Sequence, residues 1–475
     1  MLRSPFHIRR LFSAVSKPIP YFKIVEEANL SVKDPQLYVS KTYGFLPRQE
    51  PLFKLPAEFK KMEEIIARAR ITQPDGSKGL LGQGKFGEVV EKELPMVDVS
   101  KIEDSRLLEA LMRDYSYLAS MYLLEPCDLQ YKKSGDYGKG RERLPANIAV
   151  PLCKLAEKLN VKPFLEYTNY ILYNWVKKDP TKGFHPTNLI IPRMFEGGKD
   201  EHWFMSIHLF MLEHSGKLVE HTLEALRACE KKDRKAFDQA LRSQLANSKK
   251  INKNMDVMWE GSEPKNYTMY RTFIMGVKNQ PMFPNGVVYE GVSSEKRFYR
   301  GETGANDSMI PTLDNLFEVT ANMPENPLTS ALKEFRSYRP MNHQKFVGFI
   351  EEKARELGVK KFALADPNST VLYLANLDQI AEFRERHWRF TKEYIIKHTK
   401  HPVATGGTPI TTWLPNQLGV VLKVIEEVGS SLDQSKLSSD NKTLLKDVLN
   451  RATTMRKILT REVEELKKKF PNQDG

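Results

Sequence analysis

The chain has 475 residues, 40% of them hydrophobic and 28% charged, with a formal net charge of +13. That length supports about two or three domains with a sizeable core, and the balance excludes a disordered or fibrous chain. Three scattered cysteines, Cys127, Cys153 and Cys229, form no CxxC pair, which argues against a disulfide framework or a thiolate zinc site and for a reducing compartment.

Residues 1–50 read as a tail followed by an extended lead-in. Before the first acid, Glu26, come Arg3, Arg9, Arg10, Lys17 and Lys23 among Ser, Phe and Leu, the acid-poor composition of a mitochondrial matrix presequence. Arg10-Leu11-Phe12-Ser13 has the form of a matrix-peptidase site; a basic tail on a cytoplasmic protein is the alternative. Elsewhere the basic residues alternate with acids and spell no RNP sequence, zinc finger or basic zipper, so no nucleic-acid partner is expected. The longest nearly apolar run, Phe204 to Leu212, is about half of the ~20 residues that span a bilayer, so no membrane partner is expected either.

A helical pattern runs from Leu55 to Arg70, and the glycine-rich stretch from Ile71 to Gly87 reads as loop. Within it, Gly82-Gln83-Gly84-Lys85-Phe86-Gly87-Glu88-Val89 has the spelling of a protein-kinase glycine-rich loop. A kinase also needs a catalytic aspartate and a magnesium-binding aspartate, supplied as HRD and DFG. Neither tripeptide occurs, nor does APE, which leaves a flexible surface loop as the expectation. From Leu107 onward helical periodicity dominates, and few runs alternate with the period of a strand. The expected fold is mainly α, with a smaller N-terminal domain over residues 51–165 and a large all-helical domain over 166–475. The stretch from Leu418 to Lys469 reads as a helical hairpin, broken at Gly429-Ser430-Ser431 and Ser438-Ser439.

His208, Glu213, His214, Glu220 and His221 form a cluster of metal-ligating types, but their spacing matches no zinc pattern such as HExxH. Capping or exposed histidines are the simpler reading. More informative is the segment from Leu377 to Tyr394. Leu377, Ile380, Phe383, His387, Phe390 and Tyr394 recur at steps of three and four, so they share one helix face. Arg384 stands one turn before His387 on roughly the same side. A neutral imidazole in an apolar wall suits a proximal haem ligand, and a nearby arginine suits a propionate. Periodicity alone leaves open a hydrogen-bonded core histidine.

Several blocks in order resemble the indoleamine 2,3-dioxygenase family. They are LPANIAVP from Leu144, the segment with Tyr167, Tyr170, Ile171, Asn174 and Trp175 ending in KKDP, RMFEGGKDEHWF from Arg193, NGVVYEGV from Asn285, RGETGANDS from Arg300, RSYRPMNHQKF from Arg336, and the His387 helix with the following loop Ala404-Thr405-Gly406-Gly407-Thr408. The resemblance implies a haem b protein whose large helical domain carries the cofactor, acting on L-tryptophan and O2 as a monomer, with a one-electron reductant to keep the iron ferrous. It implies cleavage of the indole C2–C3 bond to N-formylkynurenine, the entry to the kynurenine route to NAD. A haem-binding paralogue that senses or carries a ligand without turnover is the alternative.

By the same resemblance His387 is the proximal ligand, Arg384 meets a propionate, and Thr303 and Gly304 border haem and substrate. Arg271 takes the amino-acid carboxylate with Thr405, while Tyr167, Tyr170, Ile171 and Phe204 match the pocket wall. The glycines after Thr405 suggest a loop that closes over the pocket. Where the family usually has a phenylalanine over the substrate indole, this chain has Asn266; a one-residue gap would bring Tyr267 there instead. Whether His208 faces the haem is open by one residue of register. His343, preceded by Arg339-Pro340 in place of the usual Met-Pro, is the rival iron ligand.

Overall fold

The computed structural model describes residues 35–319, 327–401 and 403–469. The presequence-like segment lies outside the described residues. Two short helices, α1 (Lys60–Ala69) and α2 (Leu80–Gln83), lead to α3 (Phe86–Glu93) and the long α4 (Ser105–Ser134), followed by α5 (Ala146–Leu159). The chain then forms α6 (Lys199–Leu212), α7 (Ser215–Glu230), α8 (Arg234–Asp256), α9 (Met258–Gly261) and α10 (Thr268–Arg271). After an irregular stretch come α11 (Met309–Leu316), α12 (Pro327–Arg336), α13 (Met341–Leu357), α14 (Val359–Leu364), α15 (Pro367–Phe390), α16 (Ile410–Ser430) and α17 (Ser439–Lys469). The expected mainly-α class is what the chain adopts. Among the described residues strands form two small ribbons, one of which pairs Arg143–Leu144 in parallel with Val287–Tyr289.

Helices α7, α8, α15, α16 and α17 pack in succession, with α15 between α8 and α16. That placement explains why α15 is apolar almost all round in its first half: Val371, Leu372, Leu374, Leu377 and Ile380 have no solvent exposure. Asp366 starts the helix by accepting from the N–H groups of Asn368 and Ser369, and Pro367 follows at the first helical position. One connected core runs from Leu37 to Leu459. The hairpin expected near the C-terminus is α16 and α17, and its breaks fall at the predicted serines.

The glycine-rich stretch differs from expectation. Leu80–Gln83 and Phe86–Glu93 are helical, and only Gly84, at φ +69°, needs glycine's left-handed freedom to join them. The N–H groups of Phe86 and Gly87 donate to the two carboxylate oxygens of buried Glu125 at 2.7 and 3.0 Å. Arg141 completes the cluster by pairing with the same carboxylate. A carboxylate therefore occupies the place where a kinase loop would cradle phosphate, and the loop is a pinned helix start.

Candidate functional site: an apolar chamber around His387

The functional blocks become legible as the supports of α6 and α15. In RMFEGGKDE, Glu201 at the start of α6 accepts from the backbone N–H groups of Phe195, Glu196 and Gly197. Arg193 forks onto Asp114 of α4 at 2.9 and 2.7 Å. Burial opposes ionisation of Asp114, but Arg113 and Arg193 outweigh it and hold the carboxyl below its usual range. These contacts fix where α6 begins and so where Phe204 and His208 point.

A mostly apolar chamber, partly open to solvent, lies beside the C-terminal half of α15. Phe383, His387 and Phe390 of α15 line it, with Tyr394 from the wider π-type turn that continues the helix over Thr391–Ile396. The six-residue stripe thus divides: Leu377 and Ile380 pack into the core, and the remaining four positions face the chamber. Other walls come from α6 through Phe204 and His208, from Tyr267, from Thr303 and Gly304, and from the Thr405 loop.

His387 is half-buried and lines this chamber. Desolvation, with a smaller contribution from His208, pushes its pKa down to about 4, so the ring is neutral near pH 7. Among the described residues neither ring nitrogen has a hydrogen-bond partner. A neutral imidazole without a hydrogen bond, lining a mostly apolar space, is a lone-pair donor without an acceptor. The residues present therefore fit a haem. His343, the rival, is buried outside the chamber lining, with Nδ1 3.3 Å from Ser308 Oγ and its ring 5.1 Å from that of Phe45. Burial pushes its pKa down to about 3.

Not every expected residue reaches the chamber. Arg384 does, but its guanidinium donates to Asp314 at 2.7 Å and to the Gln417 carbonyl at 3.2 Å, so the arginine assigned to a propionate already holds a carboxylate. Arg271 lies behind the lining, fully buried, donating to the Tyr137 hydroxyl at 3.2 Å and the Val403 carbonyl at 2.9 Å. No carboxylate among the described residues pairs with it. Tyr167, Tyr170 and Ile171 all belong to the core and lie behind the lining: Tyr167 packs its ring against His208, and Tyr170 stacks on Phe195 and points its hydroxyl at Glu201, 3.4 Å away. The π-type turn over Thr168–Leu172 sets these orientations.

The Asn266 question has a direct answer. Its side-chain amide donates to Asp200 at 3.0 Å, outside the chamber, and Tyr267 faces in, 5.4 Å from the ring of Phe204. The Thr405 loop is already pinned over the chamber. Arg300 donates to the Gly406 carbonyl at 2.7 Å, Gln280 to the Ala404 carbonyl at 2.8 Å, and a Cβ on Gly406 would stand 3.0 Å from the Phe335 ring. Its glycines serve close packing as well as any movement; only Gly407, at φ +80°, is left-handed.

One chamber group, Glu302, escaped the sequence reading, and His208, whose register it left open, lines the same space. Glu302, 2% exposed, makes no hydrogen bond through its carboxyl, and burial pushes its pKa up to about 8. His208 lines the chamber with Nδ1 2.9 Å from the Phe204 carbonyl. The other members of the histidine and glutamate cluster are engaged separately: Glu213 accepts from the Phe184 N–H, His214 meets Asn254, and Glu220 and His221 pair with Lys217 and Glu224. No group of three or more metal-ligating side chains exists among the described residues. No described helix is long and apolar enough to cross a membrane.

Comparison with known proteins agrees with this geometry. A family model described as indoleamine 2,3-dioxygenase matches residues 34–442. The chain is similar to indoleamine 2,3-dioxygenase 1 of Rattus norvegicus, 28% identical over 369 residues covering 77% of this chain and 85% of that protein. It is similar to the indoleamine 2,3-dioxygenase of Saccharomyces cerevisiae, 27% identical over 381 residues covering 75% and 79%. A protein named myoglobin from Haliotis madaka is 24% identical over 369 residues covering 76% and 89%.

Proposed function

The chain belongs to the indoleamine 2,3-dioxygenase family, and from that premise we propose that it cleaves the indole C2–C3 bond of L-tryptophan with O2 to give N-formylkynurenine, the first step of tryptophan catabolism toward kynurenine. The observation that carries this reading is the unbonded, neutral His387 facing the apolar chamber. His387 would hold the iron of haem b through its lone pair. Haem, when bound, supplies the oxygen chemistry, and both oxygen atoms enter the product.

What the chain contributes is position and dryness. Phe204 and Tyr267 offer an aromatic wall for an indole, their rings 5.4 Å apart. Arg271, a buried cation bonded only to neutral groups, suits the substrate carboxylate. It sits one layer back, so Tyr267 or the Val403 strand must give slightly to admit that carboxylate. Thr405, in the pinned loop, would be the second polar contact, and the same loop excludes water. Thr303 and Gly304 form a backbone edge along haem and substrate. Arg384 would reach a propionate only by sharing its guanidinium with Asp314. No described side chain is asked to act as acid or base.

Purified protein loaded with haem and kept reduced should form N-formylkynurenine from L-tryptophan under air, read by absorbance and product mass. The similarity to a protein named myoglobin motivates a second reading, a haem protein that binds a ligand without turning over tryptophan. A stable oxygen complex with no formylkynurenine would select that reading over the first.

A further inference from the structure

His208 enters the chamber from α6, one turn after Phe204. Its Nδ1 stands 2.9 Å from the Phe204 carbonyl oxygen, which can only accept, so the ring proton belongs on Nδ1. Nε2 is then a bare lone pair, and no described residue hydrogen-bonds it. Two rings hold the imidazole edge-on, Phe204 at 5.0 Å and Tyr167 at 5.7 Å between centroids. The other side of Nε2 faces Gly304, where even an added Cβ would stand 3.8 Å away, an ordinary contact distance.

Three further histidines among the described residues lack this arrangement. His343 is buried against Phe45, His214 is engaged by Asn254, and His202 turns its Nε2 to the Leu189 carbonyl. His208 alone shares the chamber with His387, and the two rings are near enough for a proton on one to oppose a proton on the other. A histidine tied through Nδ1–H to a carbonyl, with its other nitrogen free, is how proteins present imidazole to a metal or to a hydrogen-bond donor.

We propose that His208 is the residue facing the open coordination position of the iron carried by His387, presenting a lone pair to whatever binds there. The inference rests on the haem reading above. It assigns this wall of the chamber to ligands that bring an N–H or O–H donor, and makes His208 an acceptor, not a donor.

Carbon monoxide on the ferrous full-length protein tests this by infrared spectroscopy. A lone pair near the carbon monoxide oxygen opposes electron donation from iron into the ligand and stiffens the C–O bond. His208→Leu should therefore shift the C–O stretch to lower frequency. His208→Phe, which keeps a ring of similar reach without a lone pair and guards against a leucine variant that fails to fold, should shift it the same way. An unmoved band in both variants would overturn the assignment of His208 to this face, and a shift to higher frequency in His208→Leu would overturn the lone pair. Absence of any carbon monoxide complex in the wild type would instead overturn the haem reading itself.

Discussion

Asp314 of α11 and Arg384 of α15 form an ion pair 2.7 Å long at the edge of the chamber, with both side chains only 8% exposed. Breaking such a pair leaves a charge with nothing to balance it, at a cost of about 3–5 kcal/mol. Asp314→Ala should destabilise the protein by that order in urea unfolding. Adding Arg384→Met should recover much of the loss, because the double variant buries no lone charge.

Arg271 has no carboxylate partner among the described residues, which leaves its charge for a ligand. Arg271→Ala should lower kcat/KM for L-tryptophan by about 2–5 kcal/mol of binding, roughly 30-fold or more. The loss should be much smaller for an indole lacking the carboxylate. Equal losses for both would move the carboxylate contact elsewhere.

Glu302 and the chamber histidines pull stability in opposite directions with pH. Burial raises Glu302 to about 8, above the ~4.3 of an unfolded glutamate. Between those values the native state holds a proton that the unfolded state has released, so this group makes stability fall as pH rises. Glu302→Gln should remove up to one proton of that slope, about 1.4 kcal/mol per pH unit. His387 and His208, both held near 4, bind fewer protons folded than unfolded from about pH 6.5 downward, so they make stability fall on acidification. Urea unfolding of the haem-free protein between pH 5 and 8, wild type against Glu302→Gln, separates the two; parallel curves would contradict the raised pKa.

Glu125 occupies the phosphate position of the kinase-like spelling. Glu125→Ala should cost about 1–3 kcal/mol for each of the two N–H groups left unpaired. ATP should leave the melting temperature of the wild type unchanged.

The proximal side was readable in the sequence because a helix face is a local property: steps of three and four placed Phe383, His387 and Phe390 together, and they line one wall. The distal side was not, because it is assembled from short turns. Tyr267 and not Asn266 faces inward because a 3-10 turn over Pro264–Asn266 ends there, a one-residue matter that no periodicity encodes. Tyr167, Tyr170 and Ile171 share a face by spacing, yet all three pack into the core one layer behind the chamber, around a π-type turn. Glu302 sat unnoticed in RGETGANDS since its lack of partners is visible only in three dimensions. The glycines of the loop before α3 suggested mobility, while a carboxylate 38 residues away pins them.

The claim on which the rest depends is that His387 carries the iron. Haem-loaded, reduced wild type and His387→Ala, each under carbon monoxide, can be compared by absorption in the Soret region. Ligation through His387 predicts a sharp, shifted Soret band in the wild type and its loss or displacement in the variant, with haem retained poorly. A variant spectrum identical to the wild type, at full haem content, would contradict it.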